Sequence, residues 1–377
     1  MMLCNRTCVR QRKMKKEILY PLILLIALQV SSCFSNKKKN PVYIKPIKSV
    51  AFTAYKTSLE NLFDPKINPI GISPTLVNYK NKEWLCLMSQ KGNFLFLFNV
   101  NDIEQTDSIR INIADTTKKR SVFLFKDESL IVYEPYRLQY SIYHFSGDSL
   151  TLFKTFSLPK FDWKEYFLKF NSGFRVLDNH EGSIVYGYGL SKNKKDNYID
   201  RRHNLVIFTP GNKADFKTGR YPGDFFKYKI YNNETLFCND SNNNIYYTFQ
   251  MHDSIYKINK QGEILAASVL HKNPEFDRFD WGRVMDLGYV RQHTMMSEAN
   301  LNICVTHGGK VVVIKQLHKE EYRDKSYYKY FVLDNNLNML YADTLRHGFF
   351  PGFLFPYKKG FMIFANPDSK AVYYETN

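Results

Sequence analysis

The feature that most limits what this chain can become is a phrase that keeps returning: a short apolar run, a polar turn, then a second strand-like run. Asn93-Phe94-Leu95-Phe96-Leu97-Phe98-Asn99 leads on to Asp107-Ser108-Ile109-Arg110-Ile111. Residues 141–145 pass through Ser146-Gly147-Asp148 into 150–156, and residues 205–208 pass through Pro210-Gly211-Asn212 into 214–217. Residues 254–258 pass through Asn259-Lys260-Gln261-Gly262 into 263–269, and residues 329–333 through Asp334-Asn335-Asn336 into 339–343. The turns begin near residues 99, 146, 209, 259 and 334, at intervals of 47, 63, 50 and 75 residues. A period near 50 marks a repeat architecture. Polar excursions at 191–203 and 317–326 lengthen the two long intervals.

The runs read as strands. An unbroken apolar stretch such as 94–98 suits a strand covered on both faces. Aromatic residues make up 16% of the chain against 11 alanines, an exchange that favours strands over helices. Upstream of each phrase lie two more strand-like runs, for instance 121–125 with 130–133, or 301–306 with 311–317 across His307-Gly308-Gly309-Lys310. Four strands per unit is the blade of a β-propeller. The last unit supplies three strands, at 352–356, 360–365 and 371–375, and the spare run Ile47-Lys48-Ser49-Val50-Ala51-Phe52-Thr53 can complete it, joining the two ends and covering an exposed edge. The expectation is an all-β chain: a six-bladed β-propeller over 47–377 with its N-terminal strand closing the last blade. A pair of β-sandwich domains fits the composition as well but leaves the repeat and the three-plus-one count as coincidence.

The first 32 residues read as an address. Met14-Lys15-Lys16-Glu17 precedes a nearly unbroken apolar run over 18–30, too short for a comfortable permanent span and patterned like a signal peptide, with Met14 the better start. Val30-Ser31-Ser32-Cys33 then resembles the lipobox of bacterial lipoproteins, which makes Cys33 the lipidated first residue and 33–46 a basic tether with Pro41 and Pro46. Residues 1–32 hold six Lys or Arg and one acid, so the formal charge of +17 for the whole chain falls to +12 after processing. The bases are dispersed, and runs such as Lys37-Lys38-Lys39 and 192–195 read as solvated charge; no nucleic-acid partner is expected outside the cytoplasm. Cys86, Cys238 and Cys304 each sit within a short apolar strand, as small buried hydrophobes do.

A lipobox, a basic tether and imperfect blades rich in Asn, Tyr and Phe together resemble the uncharacterised Bacteroidetes lipoproteins that carry a TolB-like six-bladed propeller. The local marks are Ile255-Tyr256-Lys257-Ile258-Asn259-Lys260-Gln261-Gly262, similar to a blade hairpin of that group, and Tyr221-Pro222-Gly223-Asp224-Phe225, similar to its Gly-Pro-Gly-Glu-Phe phrase. The resemblance covers roughly 45–377 and implies fold and location only. Because the tether bears lysines where that phylum's surface-export signal bears acids, it implies an outer-membrane lipid anchor facing the periplasm.

No spacing dictates a reaction. Paired Cys-x-x-Cys, His-Glu-x-x-His, an EF-hand loop, phosphate-cradling glycines and a Gly-x-Ser-x-Gly elbow are all missing from the sequence, so neither metal nor cofactor is expected. The ligand-binding candidates are cations and rings where the chain passes from blade to blade: Arg220, Tyr221, Arg291, His293, Arg346 and His347, with Arg175 and Tyr289 as further members. Arg and His there would capture an anionic or hydroxylated ligand, and Tyr a sugar ring or peptide side chain. Asp178, Glu181, Asp277 and Asp280 qualify by type as glycosidase acids, and triplets such as Asp253-Ser254-Ile255 and Asp343-Thr344-Leu345 resemble Bacteroidetes O-glycosylation acceptors. The reading is an envelope-anchored binding or scaffolding module for a protein or glycan; the alternative is a propeller-type hydrolase or lyase acting on an envelope or dietary glycan.

Overall fold

The recurring phrase folds as antiparallel hairpins. The computed structural model describes residues 48–51, 75–88, 94–99, 106–110, 122–126, 129–134, 139–146, 149–157, 166–168, 174–176, 184–190, 204–208, 216–223, 235–270, 280–283, 285–317, 327–345, 350–366 and 370–376. Cys33, the signal-like run, the tether, Arg346, His347, Asp178, Glu181, Asp277 and the lysines of 192–195 lie outside these described residues.

After β1 (Lys48–Ala51), β2 (Thr75–Tyr79), β3 (Lys82–Met88), β4 (Phe94–Asn99) and β5 (Thr106–Arg110) make sheet I. Sheet II is β6 (Val122–Lys126), β7 (Ser129–Glu134), β8 (Gln139–Ser146) and β9 (Ser149–Ser157). Sheet III holds β10 (Tyr166–Leu168), β11 (Phe174–Val176), β12 (Ile184–Leu190), β13 (Leu205–Phe208) and β14 (Phe216–Thr218), with β10 and β11 both pairing β12. Sheet IV is β15 (Thr235–Asn239), β16 (Ile245–Phe249), β17 (His252–Ile258) and β18 (Ile264–Val269). Sheet V is β19 (Ala299–Val305), β20 (Val311–Leu317), β21 (Tyr327–Leu333) and β22 (Met339–Thr344). Sheet VI orders β1, β25 (Lys370–Glu375), β24 (Gly360–Asn366) and β23 (Phe350–Tyr357), and its one non-sequential pairing sets Lys48 opposite Tyr373, Val50 opposite Ala371 and Ala51 opposite Lys370. Along the chain, β2 lies beside β6, β6 beside β11, β12 beside β15, β15 beside β19, β19 beside β23, and β23 beside β2.

Sheets meet face to face, which explains the unbroken apolar runs. On β20, Val311 and Val313 join the core shared with sheet IV, whereas Val312 and Ile314 join the core shared with sheet VI. On β21, Phe331 and Leu333 go one way and Tyr328, Tyr330 and Val332 the other. Alternate residues point to opposite faces, so a strand buried on both must be apolar at every position. Trp84, Cys86, Leu97, Leu130 and Val132 fill the corresponding space between sheets I and II. Cys86, Cys238 and Cys304 are buried in these cores, and burial pushes the Cys86 thiol far above its usual range.

Short polar side chains shape the turns. Asp240 Oδ1 accepts from the backbone N–H groups of Asn242 and Asn244, both at 2.9 Å, and Asp334 Oδ1 does the same for Asn336 and Asn338 at 2.9 and 2.8 Å. Lys80 and Asn81, at φ 51° and 58°, form the two-residue turn between β2 and β3, the mirror-image geometry that suits strand twist. Among the described residues no helix is long and apolar enough to cross a membrane.

Candidate functional site

Each sheet has a leading end, where the chain passes into its first strand, and a trailing end, where that strand turns into the second. The leading end between sheets III, IV and V gathers the described sequence candidates apart from Arg175. Residues 218–223 bring the chain from β14 toward β15. Gly219 adopts φ 73°, and a Cβ there would stand 1.9 Å from Asn204 Oδ1, so both conformation and space require glycine. Asn204, fully buried, donates from its backbone N–H to Thr218 O at 3.2 Å and from Nδ2 to Thr235 Oγ1 at 3.2 Å.

This turn presents Arg220 and withdraws Tyr221. The Arg220 backbone is clasped by the Tyr247 hydroxyl, which accepts from Arg220 N at 2.9 Å and donates to Arg220 O at 3.3 Å, while Arg220 itself is exposed. Tyr221 is only 3% exposed and stacks on Phe249 with ring centroids 5.1 Å apart. The expected flat face for a ligand is therefore a wedge between strands: aromatic area is worth more packed against Phe249 than left in water. Burial pushes the Tyr221 and Tyr247 phenols well up, so both stay protonated.

Phe249 ties this group to the passage into sheet V. Asn300, 1% exposed, directs its Nδ2 at Phe249 O (2.8 Å), His252 O (3.0 Å) and Thr248 Oγ1 (3.2 Å), and its backbone N–H donates to Gln250 O at 2.7 Å. Just beneath lies a buried ionic cluster. Lys315 Nζ sits 2.7 Å from both Asp253 carboxylate oxygens and 2.8 Å from Glu298 Oε2, with side-chain exposures of 2%, 4% and 17%. One ammonium thus joins the second strand of sheet V, the third strand of sheet IV and the residue preceding β19. A buried charge persists only when paired in this way.

Arg291 and His293 stand on a helix, α1 (Leu287–Met296), rather than on a blade strand or loop. Asp286 starts it, its Oδ1 accepting from Tyr289 N at 2.9 Å and its Oδ2 pairing with Arg283 at 2.7 Å. The Tyr289 hydroxyl accepts from Asp280 N at 2.8 Å, and the Arg283 guanidinium lies 4.2 Å from the Tyr289 ring centroid. At the far end Ser297 donates to His293 O from its backbone (2.9 Å) and hydroxyl (2.7 Å), and His293 Nδ1 lies 3.3 Å from that hydroxyl. Arg291 and His293 are two positions apart on this helix, about 200° around its axis. Before α1 the chain exposes Met285 (87%), and Leu287 within its first turn is 80% exposed.

Among the candidates, the structure brings Arg220 and Tyr221 to one flank of Phe249 and joins the other flank to the passage that carries α1. Arg175 lies apart on β11, opposite Val185, and Asp280 accepts from Gly282 N at 2.9 Å as a turn residue. Asp253, Glu298, Asn300 and Lys315 were not among the sequence candidates. Asp253 and Ser254 are 3% and 7% exposed, so the Asp253-Ser254-Ile255 triplet is not an accessible modification site in the folded protein. Among the described residues no three His, Cys, Asp or Glu side chains assemble as a metal centre.

No family model and no curated protein sequence matches the chain. Among solved structures, a member of the DUF4221 family from Bacteroides vulgatus superposes with a TM-score of 0.63 at 11% identity, over 89% of this chain and 98% of that one. At that identity the likeness is one of fold. Virginiamycin B lyase from Staphylococcus aureus superposes more loosely, with a TM-score of 0.42 at 10% identity over 80% of this chain and 94% of its own, too loosely to carry any chemistry across.

Proposed function

We propose that this chain is an envelope lipoprotein, anchored through Cys33 in the outer membrane and facing the periplasm, whose β-sheet domain is a six-bladed propeller that binds a protein or glycan through its leading end. The ring reading is supported by the run of sheet-to-sheet neighbours, passing through β11 and β12 in sheet III, that returns from β23 to β2, and by the pairing of β1 with β25. Binding is favoured over catalysis by one observation: among the described residues, the carboxylates Asp253, Glu298 and Asp286 at the leading end are already engaged. Asp253 and Glu298 share Lys315, and Asp286 caps α1, whereas Arg220, Met285 and Leu287 are exposed, a cation and two apolar side chains open to a partner. Hydrolysis or lysis of a glycan by Asp253 and Glu298 would first require their release from that ammonium.

Photo-crosslinking in intact cells, followed by identification of what is captured, tests this reading. Arg220→Ala combined with Met285→Ser and Leu287→Ser should cut capture by roughly tenfold with unchanged melting, since a few central contacts dominate most interfaces. Undiminished capture by that variant would refute the leading-end site. Anchoring is tested separately: Cys33→Ala should release the protein from the membrane fraction, and retention of fatty-acid label by that variant would refute it.

A further inference from the structure

The trailing ends of sheets V, VI and I share a feature that binding at the leading end does not use. Direct contacts bring their first hairpin turns together. Lys310 Nζ donates to Thr376 O at 3.0 Å, Thr376 Oγ1 donates to Lys359 O at 2.8 Å, and His307 Nε2 lies 3.8 Å from Glu83 Oε1. The turns of sheets V and VI thus touch at Thr376, and the turn of sheet V reaches the start of β3 in sheet I. Five lysines converge there, Lys80, Lys82, Lys310, Lys358 and Lys359, all exposed except the half-buried Lys310. Lys80 lies over the Tyr79 ring at 4.9 Å and Lys358 over the Tyr357 ring at 5.2 Å, which keeps both stems at this end. Among the described residues, Glu83, Asp107 and Glu375 are the carboxylates beside them, with Asp107 3.6 Å from Lys80, and the five lysines outnumber these three.

The same end carries the covalent link to the N-terminal segment. Gly360, at the trailing turn of sheet VI, pairs with Glu375, and β1 pairs antiparallel to β25 with Lys48 opposite Tyr373 and Ala51 opposite Lys370. Lys48 is therefore the residue of β1 nearest the trailing end, two positions of β25 from Glu375. Whatever precedes residue 48 starts out from beside the lysine-rich turns.

From these two facts we infer that the trailing end of sheets V, VI and I is the surface this domain turns toward a bilayer bearing anionic headgroups. The inference rests on the anchoring through Cys33 proposed above. A short tether holds the patch within a few Debye lengths of the membrane, where clustered lysines are attracted to negative surface charge and where that attraction fades with salt. Arg220, Met285 and Leu287 at the leading end are then carried on the side away from the bilayer, open to a periplasmic partner. The two ends have different chemistry for different neighbours.

Lysine-modification footprinting of the full-length protein reconstituted into vesicles tests this face. On vesicles of phosphatidylcholine with phosphatidylglycerol, Lys80, Lys82, Lys358 and Lys359 should be acylated roughly fivefold more slowly than on phosphatidylcholine alone, with the difference lost at high salt. Lys154 on β9 serves as the reference and should not change. Equal rates on both vesicles, or equal protection of Lys154, would overturn the assignment. Protection by a soluble acidic polysaccharide but not by vesicles would also overturn it and make the patch a glycan site. The variant Lys80→Glu, Lys82→Glu, Lys358→Glu and Lys359→Glu, checked for unchanged melting, should abolish the vesicle preference measured by flotation of the unlipidated protein. The mass of the N-terminal peptide reads the anchor independently, so a failed anchor and a failed face give different results.

Discussion

Lys315 is 2% exposed between Asp253 and Glu298, so its ammonium has exchanged water for two carboxylates. Replacing it with Met would leave those carboxylates buried without a counter-charge, and Lys315→Met should destabilise the fold by about 3–5 kcal/mol in chemical denaturation. The triple change Lys315→Met, Asp253→Leu and Glu298→Gln should recover most of that loss, because an uncharged cluster of similar volume needs no counter-charge. An unshifted midpoint for Lys315→Met would contradict the burial argument. Gly219 gives a second test at this scale. Gly219→Ala meets both a positive φ and Asn204 Oδ1, and should lower stability by more than about 1 kcal/mol in the same assay. These roles were hard to see in sequence for different reasons. Gly219 stands in an ordinary turn phrase. Asp253 and Lys315 are separated by 62 positions, and nothing local to either announces the other.

At the scale of elements, α1 departs from the strands that dominate the described residues, and its first turn depends on one carboxylate. The Tyr289 backbone N–H, and then the Arg283 guanidinium, hold the Asp286 carboxyl below its ordinary range. A carboxyl whose value is lowered on folding contributes stability above its unfolded value, near 4, and loses it as pH falls through the lower folded value. Amide exchange at Tyr289 and Val290 should therefore accelerate on acidification from about pH 5 to about pH 2, and Asp286→Asn, which keeps an acceptor but no charge, should flatten the profile. A profile unchanged in Asp286→Asn would show that the acid sensitivity arises elsewhere. The helix lay hidden because residues 287–296 carry no broad apolar stripe, and its cap, Asp286, reads equally well as a turn residue.

At the scale of the molecule, β1 is remote in sequence from the strand it pairs. Deleting residues 45–56 removes that strand and exposes the edge of β25. If the sheets form the proposed ring, the deletion should lower one cooperative melting transition by on the order of 10 °C rather than add a separate early one. Calorimetry decides: an unchanged melting temperature, or two well-separated transitions, would contradict the ring. The same pairing sets which end of the domain the N-terminal segment leaves from, on which the proposed division between a membrane-facing trailing end and a partner-facing leading end rests.

The sequence by itself determined the strand-rich class, the hairpin phrases and the spare N-terminal strand, because period-two alternation, Asx-type turns and two-sided burial all act within a few residues. The run 329–333 and its turn at Asp334 became β21 and the turn to β22 much as they read. The fate of single side chains within those elements was decided only by tertiary structure. Tyr221 follows Arg220 directly, yet one is buried on Phe249 and the other exposed, because sheet IV stands on one side of that turn and water on the other. The pairing of Lys315 with Asp253, and the meeting of the Lys310 and Lys359 turns at Thr376, likewise depend on which sheet packs beside which. Burial and charge neighbours are set across long stretches of chain, and a local pattern carries no record of them.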